Sequence, residues 1–148
     1  MKKITQTAIA ISLLLGATNA FCAQFVSIKN EQVNLRAEPS TEAKVLYELH
    51  TGYPLKVISK EGKWLQVEDF EGDGGWVHES VTEKTPHKVL KTEAANIRAK
   101  ASKDSDSIST IKYGEVVQAT SHKGSWVHIK TQDGKTGWVH KNLLWGFN

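Results

Sequence analysis

The chain has 148 residues, of which 39% are apolar, 24% charged and 8% aromatic, a composition that suits a globular protein and argues against a disordered chain or a polytopic membrane protein. Its formal charge is +3, and its one Cys cannot close an internal disulfide. Three Pro and 11 Gly exclude collagen-like and Pro-rich architectures.

Residues 1–23 read as an export leader that is removed from the mature protein. Lys2 and Lys3 supply the positive start, and Ala8 to Ala17 form an apolar stretch. That stretch is about half the ~20 residues needed to span a bilayer. Cleavage after Ala20 and cleavage after Cys22 both meet the need for small flanking residues. Phe21 stands where lipidation of Cys22 would require a small residue, so a lipid anchor is not expected. The leader predicts a periplasmic or secreted protein without stable membrane insertion. It also carries two of the three net positive charges.

The rest of the chain is one pattern written twice. Asn34-Leu35-Arg36-Ala37 recurs as Asn96-Ile97-Arg98-Ala99, and Gly75-Trp76-Val77-His78 recurs as Gly137-Trp138-Val139-His140. Gly52, Gly62 and Trp64 recur as Gly114, Gly124 and Trp126, always at one spacing and without a gap. This divides the chain into module 1, residues 24–84, and module 2, residues 87–148, with a junction near Lys84-Thr85-Pro86. Pro86 lacks an N–H and restricts its predecessor, which suits a boundary.

Within module 1, short strands are expected at Phe25–Ile28, Val33–Leu35, Val45–Leu49, Leu55–Ile58, Trp64–Val67 and Trp76–Val77. Arg36 to Lys44 breaks the alternation and reads as a long surface loop, matched by Arg98 to Asp106. Module 2 keeps the same beat. Its Gln132-Asp133-Gly134-Lys135 segment predicts a hairpin with positive φ at both central residues. No helical stripe appears after the leader. The fold class is therefore all-β, two small tandem barrels, and closure of each barrel would remove its sheet edges.

These residues resemble the bacterial SH3-like (SH3b) family. Its modules carry N-[VIL]-R-x-x-x-S, a central Gly, G-x-W and G-x-x-G-W-V. Here these are Asn34-Leu35-Arg36 with Ser40, Gly52, Gly62-Lys63-Trp64 and Gly72-Asp73-Gly74-Gly75-Trp76-Val77. Module 2 has Asn96-Ile97-Arg98 with Ser102, Gly114, Gly124-Ser125-Trp126 and Gly134-Lys135-Thr136-Gly137-Trp138-Val139. Ala101 departs from the pattern where module 1 has Pro39, so the second long loop should be less stiff. Phe25-Val26-Ser27 at the start and Leu144-Trp145-Gly146 at the end further resemble exported proteins made of two such modules. The resemblance implies SH3-like barrels and a binding role toward peptidoglycan or peptides, through an aromatic-lined groove between the long loop and the hairpin loops.

The candidate ligand-binding residues are Trp64, Trp126, Tyr53, Tyr113, Trp76, Trp138, Arg36 and Arg98. Trp offers a flat face and an N–H for sugars or extended peptides. The competing reading makes the Trp residues plugs of a small barrel. Arg36 and Arg98 suit a carboxylate ligand, or else each marks a strand-to-loop hinge. Tyr47, Tyr53 and Tyr113 belong to a groove edge or to a plain barrel surface. His78 and His140 lack the spacing of a metal site, and no metal or cofactor is expected. Residues 24–86 carry a net charge of −4 and residues 87–148 a net charge of +5. This asymmetry fits mutual attraction of the modules, an anionic partner of module 2, or drift on solvated faces. Nucleic acid is not expected, because no binding motif for it appears.

No activated nucleophile, G-x-S-x-G turn or convincing pair of catalytic carboxylates occurs after the leader. Glu68, Asp69, Glu71 and Asp73 cluster at an expected hairpin tip and read as a solvated face. The chain is expected to be a non-catalytic exported protein that engages peptidoglycan or its peptides. The alternative is an adaptor or inhibitor of an exported protein partner.

Overall fold

The computed structural model describes residues 23–148, and the expected leader lies outside them except for Ala23. The described residues form two seven-stranded antiparallel sheets. Module 1 contains β1 (Gln24–Ile28), β2 (Val33–Arg36), β3 (Val45–Leu49), β4 (Pro54–Glu61), β5 (Trp64–Glu68), β6 (Gly74–His78) and β7 (Thr82–Glu83). Module 2 contains β8 (His87–Leu90), β9 (Ala94–Arg98), β10 (Ser107–Lys112), β11 (Val116–Lys123), β12 (Trp126–Lys130), β13 (Thr136–His140) and β14 (Leu144–Gly146). The strand order is β3-β2-β6-β5-β4-β1-β7, and module 2 repeats it strand for strand. Single 3-10 turns, Glu79–Val81 and Lys141–Leu143, precede the last strand of each sheet. Among the described residues no helix is long and apolar enough to cross a membrane.

Strand alternation decides which side chains enter the core. On β5, Leu65 and Val67 are buried while Trp64, Gln66 and Glu68 point outward. On β12, Val127 and Ile129 are buried in the same way. The two cores are aliphatic, built around Ile28, Leu35, Leu55, Val67 and Val77 in one module and Leu90, Ile97, Ile111, Val127 and Val139 in the other. No Trp belongs to either core, which corrects the reading of Trp residues as barrel plugs. Trp64, Trp76, Trp126 and Trp138 share register parity with outward-facing residues and are half-buried on the outer face.

Each long central strand carries a bulge, between Val57 and Ser59 on β4 and between Ala119 and Ser121 on β11. A bulge bends and twists its strand, which curls the sheet around a small core. The curl brings β2 against β6 through the single register pair Arg36–Trp76, and β9 against β13 through Arg98–Trp138. A Cβ on Gly75 would stand 2.7 Å from Leu35 Cγ and 2.9 Å from the Arg36 carbonyl. A Cβ on Gly137 would stand 2.5 Å from Ile97 Cγ2 and 2.7 Å from the Arg98 carbonyl. The Gly of each G-W-V motif is thus the seam at which the sheet meets itself.

Two sequence expectations need correction. Curling does not hide every edge. β3 is the terminal strand of its sheet, and Val45, Leu46 and Tyr47 on it are exposed. The Asp133-Gly134 hairpin has positive φ only at Gly134 (φ 86). Its five-residue connection closes with Gly134 N–H to the Thr131 carbonyl at 3.0 Å and Thr131 N–H to the Lys135 carbonyl at 2.9 Å. The longer loop needs only one left-handed residue, and Thr131 Oγ1 further donates to Asp133 Oδ1 at 2.5 Å.

The modules are in contact. Lys84-Thr85-Pro86 joins β7 to β8, and this short connection is clamped at both ends. Ser27 Oγ donates to the Thr85 carbonyl at 2.8 Å, and Ala119 N–H donates to the Pro86 carbonyl at 2.9 Å. Phe25 packs edge-to-face on Trp145 at 5.1 Å and lies 5.8 Å from the Phe147 ring. Phe70 and Tyr113 meet at 5.4 Å on a second contact. The salt bridges found among the described residues, His50–Glu31, Lys60–Glu79 and Lys135–Asp133, each lie within one module. The opposite net charges of the modules therefore do not form contact ion pairs, and aromatic packing and clamped backbone join them instead.

Gly75→Ala or Gly137→Ala should each lower stability by about 1–3 kcal/mol through overpacking at the seam, read from urea unfolding. Phe25→Ala should lower the stability of the tandem protein by about 1–2 kcal/mol through loss of its aromatic partners. Unchanged thermal melting of that variant would show that the aromatic contact does not hold the modules together.

Candidate functional site

The expected site residues divide between two faces. On the outer face, Trp64 lies opposite His78 and Gln66 opposite Trp76 across β5 and β6. The Trp64 and His78 rings meet edge-on at 5.3 Å. With Asn34, Arg36 and Thr41 they line a shallow crevice of about 350 Å³. In module 2, Trp126 meets His140 at 5.4 Å, and Trp138 meets His128 at 5.0 Å.

Arg36 and Arg98 have a clear local task. Arg36 Nη1 donates to the Ala43 carbonyl at 2.8 Å, and Arg98 Nη1 donates to the Ser105 carbonyl at 2.7 Å. Each guanidinium ties the far end of the long loop back to the strand that launches it. The hinge reading therefore accounts for one donor of each Arg. Ala101 does not disturb the loop's turn, since Ser102 N–H reaches the Lys100 carbonyl at 2.8 Å just as Ser40 N–H reaches that of Glu38. His78 and His140 cap the 3-10 turns, accepting from Ser80 N–H and Asn142 N–H at 3.3 Å.

A second groove belongs to module 1. Leu35, Leu49 and Leu55 form its floor, Tyr47 and Tyr53 its walls, and Glu48, Asp69, Glu71 and Asp73 its rim, around a volume of about 200 Å³. Tyr53 OH donates to Asp69 Oδ2 at 3.2 Å. Asp69 Oδ1 accepts from the Glu71 and Asp73 N–H groups at 2.9 Å each, which shapes the tip of the β5–β6 turn. Asp69 is half-buried, so the acidic tip is more than the solvated face expected from sequence. The carboxylates of Asp69, Glu71 and Asp73 lie within 4.8 Å of one another.

Tyr113 does not occupy the position of Tyr53 in the repeat. It corresponds to Thr51, and it crosses to module 1, where its hydroxyl donates to Glu71 Oε1 at 2.5 Å. The positions matching Tyr47, Tyr53, Asp69 and Asp73 are Ser109, Glu115, Thr131 and Lys135. The aromatic, acid-rimmed groove is therefore a feature of module 1 alone. Tyr47 is half exposed and was the least marked of these residues in the sequence, because only the fold carries it to the groove wall.

Two models described as bacterial SH3 domain match residues 29–84 and 93–144. The chain belongs to the bacterial SH3 domain family. It holds two such domains in tandem, and each match falls within one of the two sheets. The chain is similar to the candidate N-acetylmuramoyl-L-alanine amidase YrvJ of Bacillus subtilis (strain 168), at 27% identity over 123 residues. That match spans 72% of this chain and 24% of the relative. Among solved structures, an NlpC/P60 family protein from Bacillus cereus ATCC 10987 aligns at 15% identity and a TM-score of 0.40, over 82% of this chain and 56% of its own. NlpC2 from Trichomonas vaginalis aligns at 14% identity and a TM-score of 0.38, over 84% and 48%. Structural likeness at this level supports no functional argument.

Burial, then the charge and hydrogen bond of Asp69, push the Tyr53 phenol well above its usual range. Below about pH 10 both the folded and unfolded chains keep this proton. At higher pH the unfolded chain loses it first, so the Tyr53 contribution to stability is lost between the unfolded and the raised folded pKa. Tyr53→Phe should flatten the alkaline fall in melting temperature relative to the parent protein. An identical fall in both would show that Tyr53 does not drive it.

Proposed function

We propose that this chain is a non-catalytic exported binding protein that engages peptidoglycan or its peptides, with the Tyr47–Tyr53 groove of module 1 as the peptide seat. The observation that carries this reading is the groove itself, an apolar floor between two Tyr walls under a carboxylate rim. Tyr supplies contact area with a polar tip, and a carboxylate rim favours a peptide that bears an amine. Wall peptides with a diamino residue have this chemistry. Membership of the bacterial SH3 domain family and likeness to the candidate amidase support a cell-wall setting. The outer-face residues Trp64, Trp76, Trp126 and Trp138 are secondary contacts in this reading, suited to the glycan strand.

The second reading, an adaptor or inhibitor of an exported protein, draws on the free edge of β3. Val45, Leu46 and Tyr47 are exposed there, and an exposed edge can accept a partner strand.

Retention of the mature protein on purified sacculi tests the first reading. Tyr47→Ala should reduce retention about tenfold, a loss near 1.4 kcal/mol, with the melting temperature unchanged. Trp64→Ala and Trp126→Ala should reduce it less. Absence of retention at low salt would overturn peptidoglycan binding. Capture of a stoichiometric protein partner that Val45→Lys abolishes would favour the second reading.

A further inference from the structure

A second crevice, of about 680 Å³, lies where the two modules meet, and its side-chain charges are of one sign. Lys56 from module 1 and Lys88, Lys91, His122 and Lys141 from module 2 line it, together with the packed rings of Phe25 and Trp145. No Asp or Glu is among its lining residues. Among the described residues no carboxylate lies within 4.0 Å of any of these cationic groups, that of the last residue, Asn148, included.

Lys88 makes this more than a basic surface. It is only 4% exposed, and its ammonium donates to the Phe147 carbonyl. Its counterpart in the repeat is Val26, a core residue at 3% exposure. A buried ammonium without a counter-charge is costly, and burial holds the Lys88 pKa below its usual range. The neighbouring positions point the same way. In module 1, Lys60 and Glu79 pair at 2.5 Å and neutralise one another. In module 2, the same two positions are His122 and Lys141, so the acid has been replaced by a base. Trp145 likewise stands where module 1 has Glu83. Three changes in one place remove acid or add positive charge, and one of them adds an aromatic ring.

We infer that the crevice at the module junction binds an anionic saccharide, with Lys88, Lys91 and Lys141 around its phosphate or carboxylate and Trp145 against its sugar ring. The anion supplies the counter-charge that Lys88 lacks, and the aromatic face supplies stacking for the ring. Neither module holds the site alone, because Lys56 and Phe25 come from one and the remaining groups from the other. The site is separate from the acid-rimmed groove of module 1 and takes a ligand of the opposite charge.

The test is a titration of isotope-labelled tandem protein at constant ionic strength, followed through the Trp145 indole and Gly146 amide signals. The probes are glucose 6-phosphate, glucuronate, glucose and inorganic phosphate. Glucose 6-phosphate and glucuronate should shift these signals saturably, glucose should not, and inorganic phosphate should bind more weakly than glucose 6-phosphate. The exposed pair Lys91→Gln with Lys141→Gln should weaken binding by about tenfold or more while leaving the fold intact. Lys88→Met should abolish binding and raise the melting temperature, because it removes a buried uncompensated charge. No saturable shift up to about 10 mM glucose 6-phosphate would overturn the inference, as would unchanged binding in the double variant. Equal affinity for inorganic phosphate would overturn the sugar assignment. Retention on phosphatidylglycerol vesicles that glucose 6-phosphate cannot displace would assign the crevice to lipid headgroups instead.

Discussion

The seam between the second and sixth strands of each module sets the shape of everything around it. At Gly75 and Gly137 the backbone of one strand lies so close to the other that a methyl group has no room. That approach, together with the bulge on the long central strand, curls seven short strands around about ten small aliphatic side chains. A core this small is filled by Val, Leu and Ile, and the large aromatics are displaced to the outside. The outer-face Trp residues, the exposed Tyr47 and the inter-module aromatics are all consequences of that limited interior.

Once the seam holds the scaffold, the two copies can diverge on their surfaces without losing the fold. Backbone hydrogen bonds repeat between modules at equivalent positions, from the long-loop closure by Ala37 and Ala99 to the 3-10 turn contacts of Glu79 and Lys141. The side chains on this common frame have separated in charge. Module 1 keeps a Tyr-walled groove rimmed by Asp69, Glu71 and Asp73, whereas module 2 has Thr131, Asp133 and Lys135 at the same turn. At the other end, module 2 gathers Lys88, Lys91 and Lys141 where module 1 has Val26, Lys29 and Glu79. Part of each charge excess therefore lies in a different crevice of the pair, and among the described residues acids and bases do not meet as ion pairs across the junction.

Much of the fold was legible in the residues. Period-two alternation such as Trp64-Leu65-Gln66-Val67 marks strands because successive side chains must point to opposite faces, and the repeat confirms each assignment twice. The hairpin at Asp133-Gly134 was read from a dipeptide preference that assumes a two-residue loop. The actual connection is longer, and its geometry depends on the Thr131 side chain. The candidate site was legible only as a set of residue types. Alternation sets Trp64 on the opposite side of its strand from Leu65 and Val67, but it does not say which side is inside, and only the register between strands puts Trp64 and Trp76 on one face. Tyr113 was grouped with Tyr47 and Tyr53 as a residue of a groove edge or a barrel surface, yet its hydroxyl serves Glu71 of the other module.

The sequence by itself determined the repeat, the all-β class and six of the seven strands of module 1, because these follow from local periodicity, and its motifs carried the resemblance to the family. The short strand Thr82–Glu83 was not legible, because two residues are too few to show alternation. Only the tertiary structure decided which aromatics leave the core, that Tyr47 and Tyr53 wall one groove with four carboxylates, and that Lys88 is buried against the module junction. Those outcomes depend on contacts between residues distant in the chain, and on the direction in which a curled sheet turns its faces. Local sequence patterns carry neither.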